Sequence, residues 1–335
     1  MILVTGGTGL VGAHLLLKLL QKGHPVRAIH RKSSNLEHVQ KVFGYYGEQP
    51  KSLFDQIEWV EADIIDIPAL EVAFKGVDRV YHAAALISFD PDEHDILQKI
   101  NAEGTANVVN LCITNQVKKL CYVSTIGAIG KTFDGSMATE ETPWTPQEAN
   151  VYGLSKYAAE LEVWRGSQEG LPVAIINPGV IVGPGFWDSG SGALFTVAKK
   201  AYNFYPPGGT GFIAVQDVVD MMVQLMESPI KNERFIAVAE NWNYKKILTL
   251  ISRELGIKSP TKKLKFWQLE VGRWIDWTTN LLFKNGRKIT KSHIRALKNQ
   301  QQFDNRKIRD ALGFEFTDLE KEIRFCCAKF MEERF

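Results

Sequence analysis

The chain has 335 residues, 45% of them hydrophobic and 23% charged, with 40 basic against 38 acidic side chains and a formal charge of +2. That length suggests about two domains around ordinary apolar cores, and the near-balance of charge argues against a dedicated nucleic-acid binder, which carries a basic excess. Cysteines at only four positions, 112, 121, 326 and 327, show no CxxC and no Cys/His spacing, which excludes a disulfide scaffold and argues against a metal site.

In chain order, short apolar runs predict strands at 2–4, 26–29, 57–60, 79–82, 120–123 and 173–176. Helical patterns lie between them. One runs from Leu10 to Lys22 with Gly23 as its C-terminal cap, one from Asn101 to Asn115, and one from Tyr152 to Glu169 closed by Gly170. Strands alternating with helices predict a doubly wound α/β fold with a parallel sheet. After Pro178 the composition shifts. Residues 179–211 are rich in Gly, Pro and aromatics, 212–219 read as a strand entering a helix, and 235–238 as a further strand. The expected organisation is a nucleotide-binding domain at 1–178, to which the chain returns at about 212–238. A smaller mixed substrate domain follows from 179–211 and 239–335. Near its end, adjacent Cys326 and Cys327 read as helix-face residues. No apolar run reaches the ~18 residues of a membrane span. The chain opens directly on a strand, which disfavours a secretory signal and fits a reducing cytoplasm.

Thr5-Gly6-Gly7-Thr8-Gly9-Leu10-Val11-Gly12 follows the first strand and opens the first helix. Gly6 permits the tight turn, Gly9 lets backbone approach a pyrophosphate, and Gly12 lets the helix pack on the sheet. The N–H groups at Leu10 and Val11 add a helix N-terminus for the phosphates. This is a dinucleotide site in the context the motif requires. The second strand ends in His30-Arg31-Lys32-Ser33 where an NAD site places a carboxylate for the ribose 2′-hydroxyl. Arg31 instead suits a 2′-phosphate. NADP(H) is therefore favoured over NAD(H), with Lys32 or Ser33 assisting. Asp63 is placed to accept from the adenine amino group while Ile64 packs on the ring. The small residues Ala83, Ala84 and Ala85 let a cofactor pass.

Tyr152 and Lys156 stand four apart, on one face of a helix. Ser124 and Thr125 end a strand on the ligand side of the sheet. With TGGTGLVG (5–12), ADIID (62–66), HAAA (82–85), NAEGT (101–105), YVSTIGAIG (122–130), YGLSK (152–156), NPGVIVGPG (177–185) and AVQDVVD (214–220), the chain resembles the extended short-chain dehydrogenase/reductases. These form the NAD-dependent epimerase/dehydratase superfamily. VRAIHR (26–31) and the STIGAIG stretch look most like its dihydroflavonol-reductase and 3β-hydroxysteroid-dehydrogenase-like branch.

The resemblance implies a Rossmann fold and direct hydride transfer between a nicotinamide and a secondary alcohol/ketone pair. Tyr152 would be the general acid or base. Lys156 would hold the nicotinamide ribose and lower the phenol's pKa. Thr125, in a register chosen over Ser124, would hydrogen-bond the substrate oxygen. Pro178, Gly179 and Val180 would pass the nicotinamide. Asn101 would support a helix start or a water relay, and Asp217 would cap the next helix. Ile126-Gly127 replaces the Asp-Glu pair of the dehydratases, which argues against water elimination. The alternatives are a nucleotide-sugar epimerase with tightly bound NAD and a non-catalytic NADPH-binding redox sensor. A homodimer through the helices at 101–115 and 152–169 is typical of the resembled family.

The aromatics at 186–212, with Phe266, Trp267, Trp274, Trp277 and Phe283, suit an apolar or ring-bearing substrate, and equally suit a core. The stretch around Trp274 to Arg287 is read as core or dimer contact rather than a membrane surface.

Overall fold

A computed structural model describes residues 1–47, 50–272, 294 and 300–334. The first half alternates β1 (Ile2–Thr5), α1 (Leu10–Gln21), β2 (Val26–His30), α2 (Leu36–Gly44), α3 (Pro50–Phe54), β3 (Glu58–Glu61), α4 (Ile67–Ala73), β4 (Arg79–His82), α5 (His94–Leu97), α6 (Gly104–Thr114), β5 (Lys119–Val123), α7 (Val151–Gln168) and β6 (Val173–Pro178). Then come β7 (Val180–Val182), α8 (Ala193–Lys199), β8 (Phe204–Tyr205), β9 (Gly209–Ala214), α9 (Val215–Glu227), β10 (Glu233–Ala237), β11 (Glu240–Asn243), α10 (Tyr244–Glu254), β12 (Lys262–Lys263), α11 (Arg306–Leu312) and α12 (Leu319–Arg334).

Seven parallel strands form the main sheet in the order β10-β6-β5-β4-β1-β2-β3. Apolar runs such as Leu3-Val4 and Val173-Ala174-Ile175-Ile176 are fully buried because helices cover both faces. One face packs Leu16, Phe43 and Met222 from α1, α2 and α9. The other packs Leu70, Val108 and Val163 from α4, α6 and α7. The strand order reverses between β1 and β4, where Ile2 pairs with both Val26 and Arg79. Ligands of such sheets bind at the carboxyl ends beside that reversal.

Gly23 (φ +76) and Gly170 (φ +97) take the left-handed conformation that ends α1 and α7. The single helix expected over 101–115 is divided. Gln98–Glu103 is π-helical and α6 follows it.

The expected return at 212–238 divides at Ala214. Strand β9 sits between β11 and β7 in a separate three-stranded sheet, while α9 and β10 join the large one. Segment 239–335 does not belong wholly to the smaller unit either. Ile308 of α11 and Phe314 bury themselves in the core beneath the main sheet. Trp187, Phe195 and Phe212 fill a third core with Trp242 and Phe330, so packing takes these aromatics rather than a ligand. Phe266 and Trp267 are exposed. Trp274, Trp277 and Phe283 lie outside the described residues. Cys326 and Cys327 are buried and unbridged on α12.

Candidate active site

The glycine turn closes tightly on itself. A Cβ on Gly12 would lie 2.0 Å from the Gly6 carbonyl oxygen, and one on Gly6 (φ +71) would lie 2.5 Å from the Ala84 nitrogen. Gly9 differs: its added Cβ would meet only the Gly6 oxygen, at 3.5 Å. Its open side faces a cleft of about 220 Å³, lined among others by Gly6, Thr8, Gly9, Arg31, Asp63 and Ala83 to Ala85. The first intrahelical bond runs from Ala13 to Gly9. The N–H groups of Leu10, Val11 and Gly12 are thus left outside the helix's own ladder. A glycine with room for an approaching phosphate, beside free N–H groups, fits a dinucleotide.

Arg31 stands at the mouth of the cleft beyond β2, and among the described residues no carboxylate pairs with it. Ser34, rather than Lys32 or Ser33, lines the cleft. Its hydroxyl accepts from the Arg31 backbone N–H at 3.1 Å and meets the Thr8 hydroxyl at 3.5 Å. Asp63 also lines the cleft, and one of its oxygens accepts from the Ile65 backbone N–H at 3.2 Å. Ile64 is buried beneath Gly104. Leu86 and Ile100 also line the cleft, as do Ile29, His30, Ala62 and Ile64, and no motif in the sequence marks Leu86 or Ile100.

Thr125 and Tyr152 are brought together by backbone. The turn Ile126–Ala128 lies against the start of α7, with a Cβ on Gly153 only 3.0 Å from the Gly127 oxygen. The hydroxyls of Ser124 and Thr125 have different partners. Ser124 is buried and donates to Glu160 at 2.6 Å. Thr125 is half-exposed, and its hydroxyl accepts from the Gly127 N–H at 3.1 Å. Phe89 packs edge-on to the Tyr152 ring, with centroids 5.6 Å apart. Among the described residues, no group hydrogen-bonds the Tyr152 hydroxyl.

The charges here differ from the sequence expectation. Burial pushes the Tyr152 phenol above its ordinary value. Lys156 does not offset this, because its ammonium donates to the Tyr122 hydroxyl at 2.6 Å and the Val123 carbonyl at 2.8 Å. Burial brings Lys156 itself down to about 7, against the opposing pull of Glu160.

Asn101 is no helix cap. From within the π-helical turn its amide clamps both backbone groups of Leu86, at 2.7 and 3.0 Å, and donates to Ser155 at 2.9 Å. Asp217 caps nothing in α9, whose N-cap is Ala214. It grips Thr317, accepting from its hydroxyl at 2.6 Å. Asn177 donates to the Thr125 carbonyl at 3.0 Å and to Glu160 at 2.9 Å, tying β6 to the active-site turn. Pro178, Gly179 and Val180 follow it into β7 and do not line the glycine-turn cleft. Gly179 is small for a packing reason: a Cβ there would sit 2.4 Å from the Gly211 oxygen.

Residues 2–238 match the model of the NAD dependent epimerase/dehydratase family. The chain belongs to that family. It is 29% identical over 265 residues to tetraketide alpha-pyrone reductase 2 of Arabidopsis thaliana, covering 74% of this chain and 81% of that one. It is also 29% identical over 283 residues to a putative dihydroflavonol 4-reductase of Synechocystis, covering 82% and 78%. The crystal structure of gox2253 superposes with a TM-score of 0.82 at 26% identity, over 100% of this chain and 98% of that one.

As a member of the epimerase/dehydratase family the protein is an NAD(P)-dependent enzyme. Gly6 to Gly12 would hold the pyrophosphate, Asp63 and Ile64 the adenine side, and Lys156 the nicotinamide ribose. Beyond the motifs, Ser34 lines the cleft and Glu160 holds Ser124 and Asn177, and neither carries a local sequence signal. No helix among the described residues is long and apolar enough to cross a membrane.

Proposed function

We propose that the protein is an NADP(H)-dependent dehydrogenase/reductase that interconverts a secondary alcohol and a ketone on a small apolar or ring-bearing substrate. The observation that carries this reading is the meeting of the Thr125 turn with the start of α7, which bears Tyr152 and Lys156. When bound, the dinucleotide supplies the hydride at its nicotinamide C4. The chain supplies the rest. Burial keeps Tyr152 a phenol, the form that donates a proton to a carbonyl oxygen during reduction. Thr125 orients that oxygen, and Phe89 offers an apolar wall beside it. Ile126 and Gly127 stand where elimination chemistry would need a carboxylate pair.

Arg31, with no carboxylate partner among the described residues, supports a 2′-phosphate and hence NADP(H). The relatives named as reductases support the direction of the chemistry. We further infer a homodimer through the helices at 101–115 and 152–169, checked by sedimentation. The four free cysteines are compatible with a cytoplasmic location.

The test is NADPH consumption against a panel of hydrophobic ring ketones, beside Tyr152→Phe. The reading expects turnover that falls roughly 10²–10⁴-fold in the variant. Full activity in Tyr152→Phe would overturn it. NAD that co-purifies and shows no net turnover would replace it with the epimerase reading.

A further inference from the structure

Lys156 is held from below by β5. Its ammonium donates at 2.6 Å to the Tyr122 hydroxyl and at 2.8 Å to the Val123 carbonyl, and it lies 4.2 Å from the centroid of the Tyr122 ring. An ammonium has three N–H donors, so β5 takes two and one is left. Tyr122 itself is fully buried. Thr105 meets His82 Nε2 at 2.9 Å, and His82 Nδ1 meets Thr5 at 2.6 Å. A phenylalanine would fill the same space without desolvating a hydroxyl, so the polar atom has a cost that only its bonds offset.

We propose that the Tyr122 hydroxyl is a positioning group for Lys156, fixing the ammonium so that its third N–H is presented to the cleft and supporting the charge there. The proposal rests on Lys156 as the cofactor anchor. Neither the chemistry assigned to Tyr152 nor that assigned to Thr125 uses Tyr122.

The groups facing Lys156 can be named element by element. Tyr122 comes from β5, His82 from β4 and Glu160 from α7. Arg234 of β10 pairs with Glu160 at 3.0 Å from behind. His82 brings no positive charge, since burial first and Lys156 second pull it down to about 3. Glu160 favours the ammonium, and burial opposes it, leaving Lys156 at about 7. Loss of the hydroxyl removes an acceptor from the charged form. It therefore lowers Lys156 further, into a range that binding measurements reach.

The experiment is fluorescence titration of the full-length protein with NADPH, and with NADH in parallel, from pH 4.5 to 9. The wild type, Tyr122→Phe and Lys156→Met are compared. The wild type should bind more weakly as pH rises through the Lys156 titration, and Lys156→Met should lack that step. Tyr122→Phe should keep the step but move it down by about one to two pH units, the scale of one hydrogen bond to a charged group. An unmoved step in Tyr122→Phe, with the step absent in Lys156→Met, would overturn the role of Tyr122 and leave the anchor reading intact. A Lys156→Met profile like the wild type would overturn both. Should Tyr122→Phe fail to fold, the double variant Tyr122→Phe/Lys156→Met should match Lys156→Met in thermal midpoint. A double variant that also unfolds contradicts the proposal.

Discussion

The Ser124 hydroxyl donates to the Glu160 carboxylate at 2.6 Å, in a place closed to solvent. Neighbouring residues of an extended chain face opposite ways, so this bond leaves the Thr125 side chain (φ −163, ψ 154) on the opposite, half-exposed side. Glu160 is in turn held by Asn177 at 2.9 Å and Arg234 at 3.0 Å. The active-site turn is thus fastened from β6, β10 and α7 together.

The two hydroxyls should separate function from stability. Thr125→Val is expected to lower kcat by roughly 10²–10³, the loss of one hydrogen bond aimed at the reacting oxygen, with a stability cost of about 1 kcal/mol from the lost bond to the Gly127 N–H. Ser124→Ala is expected to destabilise by about 1–3 kcal/mol by taking a donor from a buried carboxylate. Steady-state kinetics and thermal melts of both variants check this. Loss of activity in Ser124→Ala at full stability, with Thr125→Val active, would reverse the assignment.

The glycines divide in the same way. Gly12→Ala places a methyl 2.0 Å from the Gly6 oxygen and should cost about 2–3 kcal/mol of stability. Gly9→Ala, at 3.5 Å and with φ −99, should fold normally yet bind dinucleotide at least tenfold more weakly. Melting curves and cofactor titrations distinguish the two outcomes.

A pH-dependent stability term sits far from the chemistry, on α12. Burial, with Asp217 nearby, raises the Glu322 carboxyl from 4.5 to about 7. The folded state therefore keeps a proton that the unfolded chain has lost. Stability from this group is full below about 4.5 and declines as pH rises toward 7. Glu322→Gln carries no such proton. Its unfolding free energy should gain on the wild type between pH 5 and pH 8, by up to on the order of 2–3 kcal/mol, read from melts at the two pH values. An equal difference at both pH values would show that Glu322 does not titrate there.

What is legible in the sequence is what local geometry dictates. The glycine turn lies within eight residues, and Tyr152 and Lys156 stand one helical turn apart, so spacing puts that pair on one helix face while the resemblance supplies their roles. The supporting bonds join residues that no spacing rule connects. Thr8 meets Ser34 across 26 positions, Glu160 meets Arg234 across 74, and Asp217 meets Thr317 across 100. Sheet order makes these contacts, and composition does not announce them. The π-helical turn that carries Asn101 has no residue signature of its own, so it reads as ordinary helix. Phe212 reads equally well as a strand of either sheet. Only its pairing with Val180 and Glu240 assigns it to the smaller one.

The most direct test of the account is a titration of the purified protein with NADPH and NADH, beside Arg31→Ala. The account predicts a strong preference for NADPH that Arg31→Ala abolishes while leaving NADH affinity nearly unchanged. Equal affinity for the two dinucleotides in the wild type, or a preference that survives in Arg31→Ala, would contradict it.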